Sequence, residues 1–94
     1  MKDVLSAYPT PFSASVTIKV SLGEGSTEKV IQAGIYNITG EMIFAPGLEA
    51  LQSQQEFEFQ WDGLDRDGNP LPAGVYIFIL QTDKNVYQVK LIKQ

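Results

Sequence analysis

The residues that could do chemistry in this chain are few, and most sit in one stretch. Asp62, Asp65, Asp67 and Asn69 bring four oxygen-bearing side chains within eight positions. Oxygen ligands so close together are what a calcium loop uses. The helix–loop–helix calcium template does not fit, however. With Gly68 in its glycine position, the first ligand falls on Gly63 and the closing bidentate ligand on Gly74. Neither has an oxygen-bearing side chain. The stretch reads instead as a tight turn, with Asp and Asn side chains bonding nearby amides and glycines supplying positive φ. No metal or other cofactor is expected; were calcium bound, these four residues would be its ligands.

Other catalytic arrangements lack partners. Glu56 and Glu58 lie two apart on one side of an alternating segment, which is a solubilising pattern. The chain has no histidine and no cysteine. That removes the usual general base, thiolate nucleophiles, Cys-based zinc sites and a disulfide framework. The serines and threonines therefore have no histidine to activate them. No glycine-rich loop opens a helix to cradle phosphate. The expectation is a protein that is not an enzyme.

The elements around the aspartates alternate. Residues 16–22 place Val16, Ile18, Val20 and Leu22 on one face and Thr17, Lys19 and Ser21 on the other, a half-buried strand. Residues 23–26 read as a turn. Residues 29–37 form the next strand, with Ile31, Ala33 and Ile35 assigned to one face and Gln32, Gly34 and Tyr36 to the other. It returns through Asn37-Ile38-Thr39-Gly40 into a short strand at 41–44, and 45–55 reads as a loop. Residues 55–61 turn Phe57, Phe59 and Trp61 inward and Glu56, Glu58 and Gln60 outward. Residues 75–82 are apolar on both faces, which predicts a central strand covered on both sides. A turn at 83–85 leads to a last strand at 86–92, with Tyr87, Val89 and Leu91 on one face and Lys90 outward. Ahead of all this, 1–7 reads as a lead-in with little pattern. Tyr8-Pro9-Thr10-Pro11-Phe12 reads as an extended edge segment with Tyr8 and Phe12 tucked onto the core, because proline removes amide donors. Short strands with frequent turns predict an all-β, immunoglobulin-like antiparallel β-sandwich of six to seven strands, a single domain over 8–94.

Composition agrees with such a domain. The 94 residues are 44% hydrophobic and 19% charged, with net charge −4, a globular balance. The acidic balance and scattered lysines argue against nucleic acid as a partner. No apolar run is long enough to span a membrane as a helix, so no membrane insertion is expected.

Four blocks in this order resemble the type A C-terminal sorting domain of the type IX secretion system of Bacteroidetes. They are Tyr8-Pro9-Thr10-Pro11-Phe12, with Thr10 where that family has Asn; the alternating strand from Val16; Ile35-Tyr36-Asn37-Ile38-Thr39-Gly40-Glu41; and Trp61-Asp62-Gly63 through Pro72-Ala73-Gly74-Val75-Tyr76. The tail Lys90-Leu91-Ile92-Lys93-Gln94 matches the family's basic, apolar ending. The resemblance implies a non-catalytic domain at the end of a cargo protein. Its partners would be the type IX machinery, a sortase-like surface enzyme and a covalently linked N-terminal cargo. It would pass through the periplasm and cross the outer membrane to the cell surface or medium. Sorting recognition would fall on Pro72, Gly74, Val75 and Tyr76 and on Lys90, Leu91, Ile92 and Lys93, with both lysines as charged handles. Removing residues 91–94 is then expected to block export with the fold largely intact. The central segment also resembles the immunoglobulin-like domain of flagellar hook-capping proteins, which implies a structural module for assembly. A third reading is a spacer or carbohydrate-binding sandwich of a secreted enzyme, with Trp61 or Tyr36 as the stacking surface.

Overall fold

Alternating segments of this kind must bury one face, and they do so by packing two sheets together. The computed structural model describes residues 5–22, 29–45 and 56–94. Its described strands run β1 (Leu5–Tyr8), β2 (Val16–Ser21), β3 (Val30–Tyr36), β4 (Met42–Phe44), β5 (Glu56–Trp61), β6 (Gly74–Thr82) and β7 (Val86–Lys93). One sheet has the order β1-β2-β5 and the other β4-β3-β6-β7, with every strand pairing antiparallel. The all-β, immunoglobulin-like sandwich is what the alternation predicts. Among the described residues, no helix is long and apolar enough to cross a membrane. The turn expected at 23–26 and the loop at 46–55 lie outside the described residues, as does the side chain of Phe57.

The core lies between the sheets. Val16, Ile18 and Val20 on β2 face Phe78 and Leu80 on β6, with Trp61, Phe12 and Leu91 closing one end; all are essentially inaccessible to solvent. The outward residues of β5, Glu56, Glu58 and Gln60, are exposed as expected.

Five expectations are corrected. Leu5–Tyr8 is a strand rather than a patternless lead-in, paired from Leu5 opposite Val20 to Tyr8 opposite Thr17. Its four residues are too few to show a period, and β2 supplies the template. Tyr8 is not tucked onto the core; it is exposed, and its hydroxyl reaches Glu58 at 3.4 Å. Ile31 does not share a buried face with Ala33 and Ile35. It is 50% exposed, while Val30 is buried. The cause is a register shift between Val30 and Gln32 against β6, since one extra residue reverses which side chains face in. Gly34, assigned to the outer side, is buried: a methyl added there would meet Met42 Cε at 2.8 Å, so Met42 covers it. Finally, β6 is central by pairing but covered on one face only: Tyr76, Phe78, Leu80 and Thr82 are buried, whereas Ile77 and Ile79 stay half-exposed and Val75 exposed.

The bulge yields a contrast between neighbours. Val30→Ala should cost about 2 kcal/mol, a core truncation. Ile31→Thr should stay within about 0.5 kcal/mol, a surface change. Urea denaturation of the two variants checks the assignment; equal losses would contradict it.

Candidate functional site

The aspartate loop is held from inside. One Asp65 carboxylate oxygen accepts hydrogen bonds from the backbone amides of Asp67 and Asn69, both at 2.9 Å. The Asp65 amide donates to Asn69 O at 2.9 Å, and Gly68 N donates to Asp65 O at 3.0 Å. Gly68 has φ +85°, a conformation L side chains avoid. Asp62 and Asp67 are exposed, and no three acidic side chains gather in a metal-binding group among the described residues. The loop does something sequence reading missed. It delivers Arg66 to the outer edge of β4, where its amide donates to Ile43 O at 3.2 Å and its guanidinium to Met42 O at 3.3 Å.

The residues assigned to sorting recognition are brought together by the β6–β7 register. Gly74 lies opposite Lys93, Val75 opposite Ile92, Tyr76 opposite Leu91 and Ile77 opposite Lys90. Their surfaces differ. Pro72, Val75 and Lys90 are exposed. Tyr76 and Leu91 belong to the core, so neither offers its side chain to a partner. Lys93 is half-buried rather than a charged handle: its ammonium donates to Leu71 O, and its stem crosses Gly63. Gly63 is therefore fixed twice. Its φ is +78°, and a Cβ would lie 2.5 Å from Lys93 Cε.

The Pro block joins the same end of the sandwich. Both X–Pro bonds, Tyr8–Pro9 and Thr10–Pro11, are cis. Phe12 runs parallel to β7 and bridges Lys93. The Phe12 amide donates to Ile92 O at 2.8 Å, and Gln94 N donates to Phe12 O at 2.9 Å. Thr10 Oγ1 accepts from Ile92 N at 3.3 Å. A side-chain oxygen at position 10, from Thr or Asn alike, was the available signal for this contact. Trp61 packs at a tilt against Phe12 and edge-to-face with Tyr76, with centroids at 5.7 and 5.4 Å, and its indole N–H donates to Leu64 O at 2.9 Å. Buried and satisfied, Trp61 cannot serve as a sugar platform. Residues 91–94 are likewise part of the fold, so their removal cannot leave it intact.

Beside this end lies a cleft of about 230 Å³ between the β3–β4 turn and the loop that enters β6. Ile38, 76% exposed, stands at its mouth. The turn is rigid, because the Asn37 side-chain oxygen accepts from Thr39 N, Thr39 Oγ1 and Glu41 N.

A model of the FlgD Ig-like domain matches residues 10–85. The chain belongs to the FlgD Ig-like domain family. No curated protein matches the sequence. Among solved structures, dimeric latent PorU from Porphyromonas gingivalis resembles this FlgD Ig-like domain with TM-score 0.62 at 16% identity. The match covers 95% of this chain but 9% of PorU, so the likeness is one of fold. The family match ends ahead of β7, leaving the basic tail outside it.

Burial raises the Tyr76 phenol above its ordinary ionisation range, because the phenolate would be desolvated. An unfolded tyrosine ionises near pH 10. Below that pH this contribution to stability is intact; above it the unfolded chain loses the proton first, and stability falls as pH rises through the folded value. Tyr76→Phe also removes the hydrogen bond to Pro72 O, at a cost of about 1 kcal/mol at neutral pH. The variant should show a shallower alkaline decline in Tm; an unchanged decline would assign it to other groups. Gly63→Ala should cost more than about 1 kcal/mol from backbone strain alone. Pairing it with Lys93→Ala in a double-mutant cycle should recover the Lys93 part of that loss. Deleting residues 91–94 should abolish cooperative unfolding.

Proposed function

We propose that this FlgD Ig-like domain is a non-catalytic sorting signal that directs a linked cargo through the type IX secretion system. The observation that carries the reading is the convergence of the sequence blocks that resemble sorting domains. Tyr8 to Phe12, Trp61 to Gly63, Pro72 to Tyr76 and the tail all meet at one end of the sandwich, through Phe12, Trp61, Tyr76 and Lys93. Of the residues assigned to recognition, Pro72, Val75 and Lys90 are exposed to a partner. In this reading the cargo and its domain transit the periplasm and end at the cell surface or in the medium. The secretion machinery and a sortase-like enzyme are the partners.

The family match supports a second reading, a structural module for assembly of the hook-capping type. The match covers residues 10–85 and does not extend over the tail, on which the sorting reading also draws.

Fusing residues 1–94 behind a signal peptide and reporter, in a bacterium with type IX secretion, should place the reporter outside the outer membrane. A reporter held in the periplasm rejects the sorting reading. Lys90→Glu should reduce export while leaving Tm unchanged, because Lys90 is exposed. Normal export of that variant would discard Lys90 as a determinant. Retention combined with concentration-dependent self-association of the domain would favour the assembly reading.

A further inference from the structure

β6 runs on where β3 turns away. The β3–β6 register ends at Tyr36 opposite Ile77, whereas β6 continues back to Gly74 and stays paired with β7. Backbone alternation fixes what the extra residues offer. Ile92 directs its N–H and C=O outward, to Thr10 and Phe12. Leu91 and Lys93 therefore direct theirs toward β6, where Tyr76 and Gly74 answer them. Val75, lying between, points its N–H and C=O the other way. The next β3 position would meet it, and that position is Ile38. But Ile38 has left the sheet, and the Asn37 amide is already donated to Glu41 O at 3.0 Å. Among the described residues, no strand takes up that side of Val75. The gap is the 230 Å³ cleft.

The lining fixes the chemistry of an occupant. Ile38, Ile43, Leu71 and Ala73 make it largely apolar, and it includes no Asp, Glu, Lys or Arg. Its one ionisable side chain, Tyr76, already donates its hydroxyl to Pro72 O. A charged group would lose water there and find no counter-charge. An extended backbone with an uncharged aliphatic side chain would satisfy both the open hydrogen-bonding edge and the apolar walls. We propose that the cleft binds an extended, aliphatic segment of a partner polypeptide by strand addition to Val75. The cleft shares Pro72 and Val75 with the surface assigned to sorting recognition, but it is argued from backbone pairing and lining, so peptide binding and export can fail separately.

The test is a nuclear magnetic resonance titration of the whole ¹⁵N-labelled domain with acetyl-Thr-Val-Ile-Val-Thr-amide. Shifts should concentrate at Ile38, Ala73 and Val75, and exchange of the Val75 amide should slow. A peptide of the same sequence with its backbone amides N-methylated should bind about tenfold or more weakly, having lost one or two hydrogen bonds. Ile38→Asp should weaken binding while leaving the rest of the spectrum unchanged, since Ile38 is exposed. No shift at Val75 at millimolar peptide overturns the proposal. So does equal binding of the methylated peptide, which would mean simple apolar contact, or a response that maps to β5.

Discussion

Phe12 joins the two sheets with its ring and its backbone at once. The ring is buried against Trp61 at the end of the core. Its amide and carbonyl, meanwhile, extend the β7 edge through Ile92 and Gln94. Burying a phenylalanine contributes roughly 1.5–3 kcal/mol, and each net hydrogen bond about 1 kcal/mol. In a domain whose whole stability is on the order of 5–10 kcal/mol, that is a large share from one residue. Trp61 packs on it, Tyr76 packs on Trp61, and Lys93 straps the loop that follows. The rest of this end of the sandwich is assembled around those contacts.

The same segment solves part of a problem every open sandwich has, namely four outer strands with unpaired backbone. β7 is covered near its end by Phe12 and Thr10. β4 is capped by Arg66. β1 gives way to two prolines, which donate no amide. β5 carries Glu56 and Glu58, whose charges discourage a neighbouring strand from pairing. Against this pattern, the open side of Val75 stands out as an internal strand left uncovered for one repeat.

Residues whose environment follows from their own neighbours in sequence were legible. β2, β5 and β7 show period two because one face meets the core, and the aspartate turn is local chemistry that Asp65 and Gly68 announce by type. The rest depends on partners far away in the chain. The bulge that exposes Ile31 is set by β6. The strand at Leu5–Tyr8 exists because β2 templates it. Tyr8 and Phe12 flank the same prolines, yet only Phe12 finds a cavity. At the candidate site, sequence reading named two segments that the β6–β7 register sets side by side. It could not tell that Tyr76, Leu91 and Lys93 are spent on the fold while Pro72, Val75 and Lys90 remain outside, because that division is made by packing.

The hydrogen bond from Ile92 to Thr10 spans 82 positions. A contact so distant along the chain gains nothing until the intervening loop has closed, which slows folding. It also sets an order in time. During synthesis, residues 9–12 wait for β7, and the Phe12 end of the core stays open until residues 92–94 have been made. A chain truncated before β7 would thus lack both that edge and the closed core behind it.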